Sequence, residues 1–196
     1  MIKLACVGDS ITFGYGIAPQ DRPRYSYPAI LQRLLGDDYR VANFGYNGAT
    51  AVPGFDAYMD QFCYQLSLEF AASTYIIMLG TNDAQSRYWN AAAFQSSLTK
   101  LIKSYQNLPT TQRIYLMQPP VCYSQDLPGM QENINNKMVY QSVAQVADKS
   151  GLPVIDLFSL TKGHPEWFTD GIHPNRVGND KIAHLIYTKQ KGDGIN

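Results

Sequence analysis

The chain of 196 residues carries 16 basic and 16 acidic side chains, so its formal net charge is zero. Because the charges balance and form no run of one sign, nucleic acid or an anionic membrane surface is not expected as the main partner. No apolar stretch approaches the ~20 residues of a membrane span, and the length predicts a single domain over residues 1–196.

The start of the chain and its cysteines bear on the compartment. The first three residues lead directly into an apolar segment, so no signal peptide is expected in the chain as given. A cytoplasmic location is therefore expected for the chain as given, and a secreted or periplasmic one stays open if a leader has been removed. Cys6, Cys63 and Cys122 are odd in number and widely spaced, which favours three reduced thiols over a disulfide framework or a zinc site.

Five short segments are predicted to be buried strands of a parallel sheet, because they are continuously apolar rather than alternating. In chain order they are IKLACVG (2–8), YRVANFG (39–45), TYIIMLG (74–80), RIYLMQP (113–119) and LPVIDLF (152–158).

Segments with helical patterning lie between and after these strands. They cover residues 27–36, 55–71, 91–105, 133–151 and 176–190. The regular alternation of strand and helix predicts an α/β protein with three layers, α/β/α. With right-handed crossovers, five strands favour a flavodoxin-like sheet in the order 2-1-3-4-5.

Polar residues follow four of the predicted strands, and in open α/β sheets functional sites form at the carboxyl ends of the strands. Gly8-Asp9-Ser10 follows the first strand, and the second runs into the glycine-rich segment 43–50. Gly80-Thr81-Asn82-Asp83 ends the third strand, and Asp170-Gly171-Ile172-His173-Pro174 lies after the fifth. A hydroxyl, a glycine-rich turn, a carboxamide and an acid–histidine pair are therefore expected at one edge of the sheet.

This set of groups fits acyl transfer. Ser10 would be the nucleophile and needs a base, which the imidazole of His173 can supply. Asp170, three residues earlier in a loop that contains glycine, can fold back to fix the histidine tautomer. The tetrahedral oxyanion needs donors already aimed at it, and the backbone N–H groups of Ser10 and Gly48 and the side-chain amide of Asn82 are the candidates.

The same segments resemble a known family. GDSITFG, NFGYNGAT, GTND and DGIHPN are similar, in this order, to the four diagnostic blocks of the SGNH (GDSL-type) hydrolases, over nearly the whole chain. The resemblance implies that Ser10 is the nucleophile, that Asp170 and His173 complete the triad, and that Gly48 and Asn82 complete the oxyanion hole.

Two details of the resemblance go further. Gly45 and Gly48 are both candidates for the glycine of the oxyanion hole, and Gly48 is preferred because it precedes a small residue and a threonine. The segment HPEWFTDGIHPNRVGNDKIA (164–183) is most similar to relatives that act on acetylated carbohydrates.

Competing interpretations of single residues are weaker. His164-Pro165 mirrors His173-Pro174 but has Thr161 rather than an acid three residues earlier, so His173 is preferred as the base. His184, in the last predicted helix, is expected at the surface or an interface. Asp83 is expected to be a local cap or turn former. With three histidines in all and no phosphate-binding glycine–lysine loop, neither a metal nor a nucleotide cofactor is expected.

Aromatic residues of the predicted loops are candidates for stacking on a sugar ring or a flat ester, although ordinary packing is expected for half of them. They are Tyr15, Tyr25, Tyr46, Tyr88, Trp89, Tyr123, Trp167 and Phe168.

The sequence thus predicts a metal-independent serine esterase that removes short acyl groups, acetyl foremost, from a small ester or an acetylated sugar. A short-chain thioesterase or lysophospholipase on the same residues is the alternative within enzymes. A catalytically idle binding module with this fold is the alternative from another class. The oligomeric state is left open.

Overall fold

The computed structural model describes residues 1–54, 56–85, 89–124 and 134–194. Its five strands are parallel and adjoin in the order β2-β1-β3-β4-β5. Their bounds are β1 Ile2–Gly8, β2 Tyr39–Gly45, β3 Thr74–Met78, β4 Arg113–Gln118 and β5 Val154–Asp156. The predicted fold class and strand order are confirmed.

Eight α-helices lie in the described part of the chain. They are α1 Ser10–Phe13, α2 Arg22–Tyr25, α3 Tyr27–Leu35, α4 Phe62–Phe70, α5 Ala91–Gln106, α6 Tyr140–Ser150, α7 Leu157–Thr161 and α8 Arg176–Gly192. Two 3₁₀ turns, Tyr58–Asp60 and Pro165–Trp167, and a π-helical turn, Ile134–Val139, complete the helical structure. Among the described residues, no helix has both the length and the apolar character needed to cross a membrane.

Helices cover both faces of the sheet. Successive side chains of each strand point to opposite faces, so each strand contributes to two cores. Ala5 and Val7 of β1 belong to the core on the side of α4, α5 and α6. Leu4 and Cys6 belong to the core on the side of α3, α7 and α8. A continuously apolar strand is what two buried faces require, and this pattern is the one that made the strands recognisable.

Several predicted elements have other bounds in the structure. The helix expected over residues 55–71 is interrupted at Gln61, whose backbone is extended, so that a 3₁₀ turn precedes α4. Just before the turn, Ala57 forms a β-bridge with Thr50, and this pairing removes the preceding residues from the helix. The fifth strand ends at Asp156 rather than at 158, because the Asp156 carboxylate accepts a hydrogen bond from the Ser159 N–H at 2.8 Å and starts α7.

The helix expected over residues 133–151 begins with the π-helical turn and becomes α-helical only from Tyr140. Residues 55 and 133, where these two predicted helices start, lie outside the described residues.

Candidate active site

Ser10 is placed by a tight turn between β1 and α1. Asp9 caps the helix, its Oδ1 accepting a hydrogen bond from the Ile11 N–H at 2.9 Å. Gly8 allows the turn, because a Cβ there would lie 2.2 Å from Thr12 Oγ1. The serine therefore stands at the first position of a four-residue helix at the carboxyl end of β1, which lies between β2 and β3 in the sheet.

His173 and Asp170 reach Ser10 from the loop that precedes α8. Ser10 Oγ lies 2.9 Å from His173 Nε2, and His173 Nδ1 lies 2.6 Å from Asp170 Oδ2. The other carboxylate oxygen, Oδ1, accepts the backbone N–H groups of Ile172 at 3.0 Å and His173 at 2.8 Å. Gly171, with a φ of 81°, makes the turn that folds the acid back onto the ring. The structure thus brings together the three residues predicted as a triad.

The pairing of His173 with Asp170 favours the ionised carboxylate and sets which ring nitrogen carries the proton. Partial burial raises the pKa of Asp170, but the hydrogen bonds from the His173 ring and from two backbone N–H groups outweigh it, so the pKa lies below its ordinary value. An ionised carboxylate only accepts, so Nδ1 of His173 must carry a proton. In this tautomer, Nε2 is the nitrogen that can accept a hydrogen bond from the Ser10 hydroxyl.

Gly48 lies in the turn that follows β2. Its φ of 80° is in the left-handed region that favours glycine. The Tyr46 N–H donates to the Gly8 carbonyl at 2.9 Å, which attaches this turn to the strand that ends before Ser10. Within the described part of the chain, the Gly48 N–H donates to no protein acceptor, so it is available to a ligand.

Gly45, the alternative to Gly48, has another role. Its N–H donates to Asn43 Oδ1 at 2.9 Å and is therefore occupied. A Cβ at this position would lie 2.2 Å from the backbone nitrogen of Phe13. Gly45 permits the close contact of β2 with α1, and its geometry favours Gly48 as the oxyanion donor.

Asn82 follows β3 and is attached to the same turn. Its Nδ2 donates to the carbonyl of Ala49, the residue after Gly48, at 3.0 Å. A carboxamide nitrogen has two N–H groups, so one remains for a second acceptor. This hydrogen bond links the Asn82 side chain to the turn that contains Gly48, so the two candidate donors lie close together.

Asp83 is a long-range anchor rather than the local cap that the sequence predicts. Its carboxylate accepts the N–H groups of Ala51 and Val52, all at 3.0 Å, and so holds the segment after Gly48 against β3. Burial raises the pKa of Asp83 to about 6. Asp9 is fully buried as well, and burial, together with the nearby charge of Asp83, raises its pKa to about 7.

The other two histidines lie elsewhere. His164 Nδ1 is 2.9 Å from Glu166 Oε1, and His184 Nδ1 is 2.9 Å from the carbonyl of Asp180. The sequence reasoning missed Glu166 because it looked for an acid only three residues before each histidine. No group of three or more His, Cys, Asp or Glu side chains in the described residues is arranged to hold a metal ion.

The loop aromatics divide between the surface and the interior. Tyr15 is exposed and contacts the ring of His173, with the ring centroids 4.7 Å apart. Tyr123 and Phe168 pack against each other. Tyr88 lies outside the described residues.

The sequence of this chain matches a known protein family. The model of the GDSL-like Lipase/Acylhydrolase family matches residues 6–181. This match confirms the resemblance predicted from the four sequence blocks and, with it, the enzyme class of acylhydrolase. An acetylxylan esterase from Xylanibacter ruminicola is 33% identical over 209 aligned positions, which cover 94% of this chain and 42% of that protein. The chain spans less than half the length of the curated relatives it matches.

Solved structures share the fold over nearly the full chain. A lipase/acylhydrolase from Enterococcus faecalis aligns with a TM-score of 0.78 at 25% identity and covers 98% of this chain and 97% of its own. A carbohydrate acetylesterase from Sinorhizobium meliloti aligns with a TM-score of 0.74 at 19% identity and covers 98% of this chain and 99% of its own. At 19% identity, the second likeness concerns the fold alone.

Proposed function

Because this chain belongs to the GDSL-like lipase/acylhydrolase family, we propose that it is a serine esterase that hydrolyses short-chain carboxylic esters, namely acetyl groups on a carbohydrate. The observation that carries the proposal is the hydrogen-bonded series from Ser10 through His173 to Asp170, with atom separations of 2.9 and 2.6 Å. A serine, an imidazole and an ionised carboxylate in this order are the parts that acyl transfer needs.

The first half of the reaction forms an acetyl-enzyme. Ser10 Oγ attacks the ester carbonyl carbon while its proton passes to His173 Nε2, and the carbonyl π electrons move onto oxygen. The intermediate then collapses: the bond between the carbon and the alcohol oxygen breaks, and the proton on Nε2 goes to that oxygen. The free alcohol leaves, and the acetyl group remains on Ser10.

The second half releases the acid. His173 takes a proton from water, and the resulting hydroxide adds to the acetyl carbon. When this second intermediate collapses, the bond to Ser10 Oγ breaks and Oγ recovers the proton from Nε2. One ester and one water give one alcohol and one carboxylic acid, and no metal or cofactor takes part.

Two charges develop during each addition, and the proposed site has a partner for each. The imidazolium of His173 forms against the carboxylate of Asp170, whose low pKa keeps it ionised. The oxyanion would accept hydrogen bonds from the N–H groups of Ser10 and Gly48 and from the amide of Asn82. Donors aimed at a charge that exists only in the transition state lower the barrier without tightening substrate binding.

The choice of an acetylated carbohydrate rests on the relative from Xylanibacter ruminicola, which is called an acetylxylan esterase. We carry that substrate over as part of the proposal, with a small acetyl ester of xylan or of a xylo-oligosaccharide as the partner.

The nucleophile is tested with a fluorophosphonate probe, which labels a serine only when its hydroxyl is activated. Labelling is expected at Ser10 and is expected to disappear in Ser10→Ala. Ser159→Ala is the matched control and is expected to keep the label, because the Ser159 hydroxyl donates to a carboxylate, Asp156 Oδ2 at 2.6 Å, rather than to a histidine. A folded wild-type protein that stays unlabelled would identify an idle binding module instead.

The substrate is tested by comparing acetylated xylo-oligosaccharides, p-nitrophenyl esters of rising chain length and an acetyl thioester. Acetyl esters of the oligosaccharides are expected to give the highest kcat/KM, and activity is expected to fall beyond about four acyl carbons. Faster hydrolysis of octanoyl esters or of the thioester would contradict the proposed substrate and favour the lysophospholipase or thioesterase alternative.

A further inference from the structure

The position of Tyr15 is not explained by burial in the hydrophobic core. Its side chain is 55% exposed, although burial of an aromatic ring is one of the larger stabilising contributions a residue can make. The part of the ring that is covered lies against the ring of His173, at a centroid distance of 4.7 Å and an interplanar angle of 49°. An aromatic surface thus remains open to solvent directly beside the proposed base.

The loop that carries Tyr15 is fixed to the nucleophile. The Tyr15 N–H donates to the carbonyl of Ser10 at 3.0 Å. Gly14, with a φ of 90°, ends α1 in the left-handed conformation and turns the chain toward the site. Tyr15 therefore keeps a defined position relative to Ser10.

The same loop is fixed to the base. At Gly16 an added Cβ would lie 2.9 Å from the carbonyl oxygen of His173 and 2.4 Å from that of Pro174, so only glycine allows this approach. The hydroxyl of Thr169 donates to the Gly16 carbonyl at 3.2 Å. The two glycines of Gly14-Tyr15-Gly16 thus allow the backbone on either side of the tyrosine to lie close to Ser10 and to His173.

The reaction geometry decides which part of the substrate meets Tyr15. In the tetrahedral intermediate the oxyanion faces the donors at Gly48 and Asn82, and the alcohol oxygen must come within about 3 Å of His173 Nε2 to take its proton. The body of the alcohol extends from that oxygen. Because Tyr15 packs on the ring of His173, we infer that the departing alcohol passes close to its exposed face.

We propose that Tyr15 forms the floor of the leaving-group subsite and selects alcohols that are rings, a sugar in the proposed substrate. This inference rests on the proposed function. A tyrosine offers a flat apolar face for the C–H side of a pyranose and a hydroxyl for its polar edge. The acyl group is expected to take the remaining direction at the carbonyl carbon, away from this face.

The test keeps the acyl group constant and changes the alcohol. Tyr15→Ala is expected to lower kcat/KM on acetylated xylobiose by about tenfold or more, mainly through KM, since one lost apolar contact in a subsite changes discrimination by about 10–200-fold. On ethyl acetate, whose alcohol is too small to cover the ring, kcat/KM is expected to change less than about twofold. Tyr15→Phe, which keeps the ring, is expected to retain most of the activity on both esters.

Phe62→Ala is the matched control. Phe62 is an aromatic residue at the start of α4, 71% exposed, and is not among the residues placed in the site. Its removal is expected to leave both esters unaffected. An equal loss of kcat on both esters in Tyr15→Ala, with a displaced pH profile, would show that Tyr15 only positions His173 and would overturn the subsite.

A second measurement uses the acetyl-enzyme, which is the same whatever ester formed it. Xylobiose and methanol are added separately as acceptors that compete with water. Tyr15→Ala is expected to lower transfer to xylobiose relative to water and to leave transfer to methanol unchanged. Equal partitioning in the wild type and the variant would contradict the subsite.

Failure of the proposed function would be seen separately, in the wild type. An enzyme that hydrolyses ethyl acetate but no sugar acetate would refute the carbohydrate substrate. The subsite would then be decided by cyclohexyl acetate against ethyl acetate in the same variants. A loss confined to the cyclohexyl ester would support it, and no difference between the two esters would refute it.

Discussion

Two regions of the molecule contain a histidine that is followed by proline and hydrogen-bonded to a carboxylate. His173 lies 2.6 Å from Asp170 through Nδ1, and its Nε2 lies 2.9 Å from Ser10 Oγ. Its side chain is 13% exposed. Both ring nitrogens of His173 are therefore engaged, one with an acid and one with a hydroxyl, in a largely buried position.

The second histidine, His164, hydrogen-bonds an acid, but no serine hydroxyl among the described residues donates to its other ring nitrogen. His164 Nδ1 lies 2.9 Å from Glu166, the side chain of His164 is 43% exposed, and its ring is stacked on Trp167 at 3.9 Å. The hydrogen bond from His164 lowers the pKa of Glu166, as the bonds to Asp170 lower that acid's pKa. An ionised acid beside an imidazole is thus common to both regions, and the serine hydroxyl on the other ring nitrogen of His173 distinguishes them.

Removal of each histidine in turn is the most direct test of the difference between the two pairs. His173→Ala is expected to lower kcat on p-nitrophenyl acetate by about 10⁴–10⁶-fold, the usual loss when the base of a triad is removed. His164→Ala is expected to stay within about twofold of the wild type, because its ring is not placed to take a proton from Ser10. The reverse result, with activity kept in His173→Ala and lost in His164→Ala, would show that the wrong histidine has been chosen.

The acids give the next test. Asp170→Asn is expected to lower kcat by about 10⁴-fold, because an amide in place of the carboxylate permits the wrong tautomer of His173. Glu166→Gln makes the same chemical change at the other pair and is expected to leave kcat unchanged. A similar loss in both variants would mean that the two pairs contribute to activity in the same way.

A smaller effect is expected from loss of a proposed oxyanion donor, because such donors act only where Ser10 reacts. Asn82→Ala is expected to lower kcat by about 10²–10³-fold with KM nearly unchanged, since the lost donor acts in the transition state. Asn82 also donates to the carbonyl of Ala49, so the thermal midpoint must be measured as well.

Asn90→Ala is the control for the structural part of that effect. Asn90 caps α5 by accepting the Ala93 N–H at 2.9 Å, and its loss is expected to cost about 1 kcal/mol of stability without changing kcat. A kcat of wild-type size in Asn82→Ala, with a lowered midpoint, would make Asn82 a purely structural residue.

These tests depend on residues that the sequence identified by type and order. Ser10, Asp170 and His173 were predicted because a hydroxyl, an acid and an imidazole follow apolar strands whose carboxyl ends must share one edge. The topology alone brings them near each other, and the structure gives the distances. That they are catalytic, and that residues 1–196 form one domain, stay predictions.

The remaining parts depend on contacts between distant segments, which local patterns do not contain. Asp83 holds the backbone of Ala51 and Val52 from 32 and 31 residues away, so its role as an anchor was not predictable from its neighbours. Tyr15 was one of eight aromatic candidates, and only its contact with His173 separates it from the others. The predicted helix over residues 55–71 was interrupted because Ala57 pairs with Thr50.

Asp9 and Asp83 are acids that accept hydrogen bonds from backbone N–H groups rather than from a histidine. Asp170 and Glu166 accept hydrogen bonds from imidazole and have lowered pKa values, whereas Asp9 and Asp83 are buried and have raised ones. Oδ2 of Asp9 has no hydrogen-bond partner among the described residues. The two kinds of acid are therefore expected to affect stability in opposite directions as the pH changes.

We expect the thermal midpoint to fall by a few degrees between pH 5 and pH 8 because of Asp9 and Asp83. An aspartate in the unfolded chain has a pKa of about 3.9, while burial raises that of Asp9 to about 7 and that of Asp83 to about 6. From about pH 4 to about pH 7 the folded protein therefore holds protons that the unfolded chain has released, and raising the pH lowers the free energy of unfolding.

Asp9→Asn isolates this contribution, because the amide oxygen can still accept the N–H of Ile11 while the side chain can no longer ionise. The variant is expected to differ little from the wild type at pH 5 and to have the higher midpoint at pH 8. Asp148→Asn, which changes an exposed acid on α6, is the control and is expected to follow the wild-type curve. If the midpoint of Asp9→Asn falls with pH in parallel with that of the wild type, ionisation of Asp9 is not what destabilises the protein at high pH.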